Sequence, residues 1–155
     1  MLYNGPRMRA LGLDVGTRTI GVAVADPSGT IASARTILAR RGQAADAAAI
    51  AAMAVSEAAG AVVVGLPLEL DGSVGHRARL VQRFIAALEA VLKDMSQTVT
   101  LHTWDERFST AAAERTLLEA DVSRARRKRS VDALAAQFIL QGWLDAQRRR
   151  GEVAL

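Results

Sequence analysis

Arg9-Ala-Leu-Gly-Leu-Asp-Val-Gly-Thr-Arg-Thr-Ile-Gly-Val-Ala-Val-Ala-Asp26 sets the topology for the rest of the chain. An apolar run ends on an acid, Asp14. A Gly-Thr turn comes next, and Ile20 to Ala25 returns along the first run as a hairpin. Gly16 lets the chain reverse with positive φ where the turn requires it. Asp14 stands where a buried strand would ordinarily continue with an aliphatic side chain. A carboxylate there needs a cation, a donor or water, because burying it unpaired is costly. The plainer reading of Asp14 is a turn-capping residue.

Outward from the hairpin, the pattern predicts strands over Met8–Asp14, Thr19–Ala25 and Ile31–Leu38, a three-stranded antiparallel meander. Arg40-Arg-Gly then breaks the chain. Ala44–Ala59 is an Ala-rich helix with Ala47, Ile50, Ala51, Ala54 and Ala58 on one face, stopped by Gly60. Ala61–Leu66 is a short, continuous Val-rich run, as expected of a strand covered on both faces. After a Pro67–Gly75 loop with an Asp71-Gly72 turn, Leu80, Val81, Phe84, Ile85, Leu88, Val91 and Leu92 repeat at helical spacing. Thr98–Trp104 is again β-prone, and Thr110–Glu119 reads as a short helix capped by Ser109 or Thr110. Arg124–Arg129 reads as basic and irregular, and a last helix runs from about Ser130 to Gln147. This order predicts an α/β fold, a mixed sheet flanked by helices.

At 155 residues the chain reads as a single domain, 1–155, with a core of useful size. Only 4% of the residues are aromatic, so Ala, Val, Leu and Ile must build that core. The absence of cysteine excludes disulfides and thiolate zinc sites and suits a reducing compartment. Met1–Arg7 reads as a loose leader without an apolar signal core, and no apolar run is long enough for a bilayer. The expectation is a cytoplasmic protein with no membrane partner. A net charge of +4 fits a polyanionic partner.

The acids carry the chemistry. Asp14 ends the first strand, Asp105-Glu106 ends the fifth and Asp132 opens the last helix. If the first and fifth strands run parallel, their carboxyl ends share the sheet edge where ligands bind in open α/β sheets. Ala135, Ala136, Ile139 and Trp143 put Asp132 on the inward helix face, although the helix dipole also favours an acid in a first turn. Asp105 and Glu106 are adjacent and point opposite ways in an extended chain, so one of them reaches the site and the other is left for Arg107 or a backbone group. Convergent carboxylates repel unless a cation neutralises them, and hard oxygen ligands favour Mg²⁺ or Mn²⁺. A pair of such ions suits phosphodiester hydrolysis. Asp26, Asp71 and Asp145 read as structural, His76 and His102 lack ligand spacing, and Trp104 and Trp143 read as core.

Arg124, Arg126, Arg127, Lys128 and Arg129 lead into Asp132. Beside a phosphodiester site they read as phosphate contacts, although a solvated charge run is the ordinary alternative. Arg148–Arg150 reads as a helix-end charge cluster. The Pro67–Gly75 loop precedes a helix N-terminus, which favours a phosphate; a plain connector fits equally well.

Gly12-Leu-Asp14-Val-Gly-Thr17 with Ile20-Gly-Val-Ala, Val64-Gly-Leu-Pro67 with Asp71-Gly, Trp104-Asp-Glu-Arg107-Phe-Ser-Thr110, and Asp132-Ala-Leu-Ala-Ala-Gln with Leu140-Gln-Gly-Trp-Leu-Asp145 resemble the YqgF family. That family is also called the Holliday junction resolvase or pre-16S rRNA nuclease family. Four ordered motifs span nearly the whole chain after Met8; Phe108 stands where the family often has Leu. The resemblance implies a ribonuclease H-like fold, a five-stranded mixed sheet of a three-strand meander plus two parallel strands. It implies catalytic, metal-binding acids at Asp14, Glu106 and Asp132. It also implies an endonuclease acting on branched DNA or precursor rRNA. A resolvase cutting two symmetric strands requires a homodimer; an rRNA-processing enzyme does not. The competing classes are a non-catalytic nucleic-acid-binding module on the same fold and a fragment of a sugar-kinase or actin-like ATPase. The latter builds its nucleotide site from two such domains.

Overall fold

The computed structural model describes residues 9–108 and 124–153, with the side chains of 124–132 and 152–153 outside that description. Five strands form one sheet in the order β3-β2-β1-β4-β5: β1 (Arg9–Val15), β2 (Thr19–Ala25), β3 (Ala32–Ala39), β4 (Ala59–Leu66) and β5 (Thr100–Asp105). β1, β2 and β3 are the antiparallel meander, and β4 and β5 add parallel to β1. The helices are α1 (Gln43–Ser56), α2 (His76–Lys93) and α3 (Arg124–Val153), and a 3-10 turn, Glu106–Phe108, follows β5. The sheet is the one the sequence predicts. The expected leader and the Thr110–Glu119 helix lie outside the described residues.

Strand alternation sorts the side chains into two unlike cores. Leu11, Leu13 and Val15 of β1, with Ile20, Val22 and Val64 from their neighbours, pack against Ile50 and Ala54 of α1 and Val81, Phe84 and Leu88 of α2. Fully burying a side chain such as Phe84 or Leu88 contributes about 1.5–3 kcal/mol. The opposite face carries Ala10, Ala23, Ala25, Ala61 and Val63 against Ala136, Ile139, Leu140 and Trp143 of α3. Its small residues let a single helix come close. At Gly12 the approach leaves no room for a side chain: a Cβ there would stand 2.5 Å from Leu140 Cβ and 2.9 Å from the Ala136 carbonyl oxygen.

Two glutamines fix how α3 lies. The β3 amide N–H groups of Ala32 and Ala34 donate to Gln141 Oε1 (2.9 Å) and Gln137 Oε1 (3.3 Å), and Gln141 Nε2 donates to the Thr30 carbonyl (2.9 Å). Residues four apart on a helix are separated by about 6 Å, and residues two apart on a strand by about 6.6 Å. The glutamines therefore match alternate residues of β3, with α3 antiparallel to β3 and β1. They also occupy N–H groups of an edge strand that would otherwise be open to pairing.

Strand and helix ends shift by a residue or two from the sequence reading, and two departures have a clear cause. α1 ends at Ser56, and Ala58 takes the left-handed conformation (φ 54°) that was expected of Gly60. Pairing of Arg9 with Ala59 starts β4 at that point, so Gly60 is part of a strand. Arg124–Arg129 is helical rather than irregular, and α3 continues to Val153. Arg, Lys and Ala are strong helix formers, and no Gly or Pro interrupts them before Gly142.

Candidate active site at the carboxyl edge of the sheet

β1, β4 and β5 end side by side. Leu13 pairs with Val64, and Gly65 and Leu66 pair with Trp104 and Asp105, so Asp14, Gly65 and the start of the Glu106 turn are nearly level. Leu13 and Val15 face α1 and α2; alternation turns the half-buried Asp14 to the face covered by α3. Glu106 lies over the same face. A Cβ on Gly65 would stand 3.3 Å from the Glu106 carboxyl carbon and 2.5 Å from Ile139 Cδ1 of α3. β4 alone separates β1, which carries Asp14, from β5, which Glu106 directly follows, a backbone span of about 10 Å. Gly65, the residue between them, has no side chain, and Ile139 and the Glu106 carboxyl group close over its backbone.

Position 132 approaches this edge from α3. One helical turn before Ala136, whose carbonyl abuts Gly12, it lies about 6 Å further toward the carboxyl end, and Gly12 to Asp14 covers about 6.6 Å of strand in the same direction. Position 132 thus falls level with Asp14; its side chain lies outside the described residues. Since α3 starts at Arg124, Asp132 sits in the third helical turn and not the first as expected, so the helix dipole does not account for an acid there. A trough of about 570 Å³, lined by Thr19, Arg35, Thr36, Ile37 and Ala133 among others, continues over β2 and β3 beside this edge. Arg124, Arg126, Arg127, Lys128 and Arg129 occupy the first turns of α3, with side chains outside the described residues.

The adjacent acids part as the sequence required. Asp105 is engaged by Arg107, whose Nη2 donates to Oδ2 at 2.6 Å, whose Nε reaches both carboxylate oxygens at 3.0–3.1 Å and whose backbone N–H donates to Oδ1 at 3.0 Å. Those Arg107 side-chain hydrogen bonds hold the Asp105 carboxyl below its ordinary range against the opposing effect of burial. Arg107 Nη1 also reaches toward the Leu70 carbonyl of the β4–α2 loop at 3.5 Å. Asp105 is thus tied to Arg107, whereas Glu106 lies over Gly65.

Asp26, Asp71 and Asp145 are structural, as read. Asp26 accepts the backbone N–H groups of Ile31 and Thr30 and the Ser28 hydroxyl, which hold its carboxyl at about 2. Asp71 accepts from Ser73, and Asp145 from Gln141 and Arg148. Trp143 is buried in the α3 core, and Trp104 packs against it.

The sequence reading missed the support beneath the Gly16 turn. Asp46 of α1, 4% exposed, accepts Arg40 Nε at 2.7 Å and the backbone N–H groups of Arg41 and Gly42. Burial opposes its ionisation, but these hydrogen bonds outweigh burial and hold its carboxyl below the ordinary range. Arg40 in turn donates to the Gly16 carbonyl (2.8 Å) and Gln43 (2.9 Å), and its backbone N–H donates to the Arg18 carbonyl (2.8 Å). The only sequence signal was an Arg-Arg-Gly break followed by an acid in the first turn of a helix.

Among the described residues no three His, Cys, Asp or Glu side chains gather as a metal cage, and none of the described helices is long and apolar enough to cross a membrane. The described donors at the edge, Asp14 and Glu106, are hard oxygen ligands of the kind that suits Mg²⁺ or Mn²⁺ rather than a thiophilic ion.

Similarity to known proteins bears on this site. A family model described as RuvX, Holliday junction resolvase, matches residues 8–146. A Myxococcus xanthus protein provisionally named a pre-16S rRNA nuclease is 54% identical over 141 residues, 91% of this chain and 90% of the relative. A Moorella thermoacetica protein with the same provisional name is 45% identical over 144 residues, 93% and 99% of the two chains. Among solved structures, Thermus thermophilus RuvC in complex with a Holliday junction superposes with TM-score 0.58 at 14% identity, covering 91% of this chain and 96% of that one. The yeast mitochondrial Holliday junction resolvase superposes at 0.57 and 12% identity, covering 95% and 82%. At such identities the likeness is one of fold, and the fold is ribonuclease H-like.

Proposed function

The chain belongs to the RuvX family of Holliday junction resolvases, and from that premise we propose that it is an endonuclease hydrolysing phosphodiester bonds of structured nucleic acid, with Asp14, Glu106 and Asp132 as its acids. The observation that carries this reading is that Asp14 and Glu106 come to the same edge and the same α3-covered face of the sheet, with the Glu106 carboxyl group over Gly65, the residue level with Asp14. Asp14 and Glu106, joined by Asp132, would hold Mg²⁺ or Mn²⁺. Such ions supply an activated water and charge neutralisation at the phosphate. The chain's own contribution is positional: strand β1 holds Asp14, the 3-10 turn after β5 holds Glu106, and α3 carries the third acid. Arg124, Arg126, Arg127, Lys128 and Arg129 contact the phosphates of the bound strand.

The substrate is a four-way DNA junction or a precursor of 16S rRNA, and either places the work in the cytoplasm. A junction needs two active sites related by a two-fold axis, so a resolvase is a homodimer, whereas rRNA processing does not require one. The test is cleavage of a four-way DNA junction and of a precursor rRNA fragment, side by side with Mg²⁺ or Mn²⁺, by wild type and Asp14→Asn. Cleavage of one substrate, lost in the folded variant, supports the nuclease and selects the substrate. Binding without cleavage under every metal would instead favour a non-catalytic nucleic-acid-binding module.

A further inference from the structure

The described arginines divide into two groups. Arg9 and Arg35 pair with Glu57, Arg40 with Asp46, Arg107 with Asp105 and Arg148 with Asp145. The other described arginines have no carboxylate partner among the described residues, and of these the exposed Arg18 and Arg77 are brought to the same place. They line one cleft of about 310 Å³ between the β1–β2 turn and the first turn of α2, together with Thr17, Thr19, His76 and Leu80. The cleft also includes Val15 and Gly16, the residues directly after Asp14. It lies at the same carboxyl edge as the acids, on the sheet face away from α3: Val15 packs with the α1 and α2 core.

Both walls are held from beneath. Arg40 donates from its side chain to the Gly16 carbonyl and from its backbone to the Arg18 carbonyl, each at 2.8 Å, so the backbone that presents Arg18 is anchored to a buried ion pair. Arg77 precedes Ala78, which is fully buried and seats the start of α2. Guanidinium groups on anchored backbone lose less freedom on binding than groups on a loose tail, and their planar forks suit phosphate oxygens.

We propose that the Arg18–Arg77 cleft binds the phosphate backbone of the nucleic acid beyond the scissile position, so that the substrate straddles the sheet edge between this cleft and the α3 face. This rests on the nuclease reading and adds a second contact on the other side of the sheet. A substrate held on both sides must extend past the cut or branch there, which favours a junction or folded RNA over a short single strand.

The test measures binding of a labelled four-way DNA junction and a precursor rRNA fragment by fluorescence anisotropy, without divalent ions and over a salt series. The proteins are full-length wild type, Arg18→Gln/Arg77→Gln, Arg18→Lys/Arg77→Lys, and Arg83→Gln/Lys93→Gln, which removes two exposed charges elsewhere on α2. Losing two phosphate contacts lowers the slope of log affinity against log salt by about 1.8 on duplex DNA. The first variant should bind at least tenfold more weakly with that smaller slope. The lysine variant should regain the slope, and the α2 control should match wild type. In cleavage the first variant should raise KM with little change in kcat. If it matches the α2 control while wild type binds and cleaves, the cleft is not a substrate contact and the nuclease reading stands. If wild type binds neither substrate, both are overturned.

Discussion

Gly65→Ala adds one methyl group to the floor beneath Glu106, and the structure says what that methyl meets. Its nearest neighbour is Ile139 Cδ1 at 2.5 Å, then Ile139 Cγ1 at 3.1 Å and the Glu106 carboxyl carbon at 3.3 Å. Ile139 is fully buried, so it cannot swing into solvent. Overpacking of this kind costs about 1–3 kcal/mol, and the smaller unfolded-state entropy of Ala returns about 0.4–1 kcal/mol. A net loss of about 1–2 kcal/mol lowers Tm by roughly 3–6 °C in a domain of this size. Ile139→Val removes the offending Cδ1 at a cost of about 1 kcal/mol by itself. The double variant should therefore be about as stable as Ile139→Val alone, a coupling of about 1–2 kcal/mol in a cycle of urea melts. Activity should not follow stability. The Glu106 contact survives in the double variant, and a misplacement of a few tenths of an ångström should hold cleavage down on the order of tenfold. Additivity within about 0.5 kcal/mol would refute the steric argument. Full recovery of cleavage in the double variant would refute the role given to Glu106.

Other perturbations probe other parts of the molecule. Gly12→Ala drives a methyl into the main chain of α3 and not into a side-chain tip, so the cost should reach about 3 kcal/mol; a thermal melt within about 2 °C of wild type would contradict the close approach. Asp46→Asn leaves Arg40 buried without its counter-charge and should cost about 3 kcal/mol at neutral pH. Because the folded-state carboxyl of Asp46 titrates below 3.8, its stabilisation is present above that value and lost as pH falls through the folded value. The stability gap between wild type and Asp46→Asn should therefore close as pH is lowered below 3.8, and a gap that widens would contradict the pairing. Asp105→Asn should leave cleavage largely intact while Glu106→Gln abolishes it, since Asp105 is committed to Arg107; the opposite order in a cleavage assay would exchange the two roles.

The edge on which these perturbations act was partly legible in the chain. Period-two and continuous apolar runs determined the strands, and the helical spacing of Leu80 to Leu92 determined α2, because each pattern reflects which neighbours lie on the same face of a local element. The order of the strands put Asp14 and Asp105-Glu106 at one edge as soon as β1, β4 and β5 were taken as parallel. Local patterns could not decide between Asp105 and Glu106, because that choice turns on Arg107 two residues on and on a glycine in another strand. The Ala58 turn and the early start of α3 were equally hidden: pairing with β1 overrode the Gly60 stop, and helix formers continued back through a run whose charge had suggested a loop. Gln137 and Gln141 are ordinary helix residues in sequence, and only their contacts with β3 show that they set the direction and register of α3. The buried Arg40–Asp46 pair joins the start of α1 to the turn after Asp14 across more than twenty residues. Sequence determined the elements and the acids because both depend on neighbours along the chain; how Glu106 comes to lie over Gly65, and how closely α3 approaches the sheet, depends on glycines and polar contacts brought together only by folding.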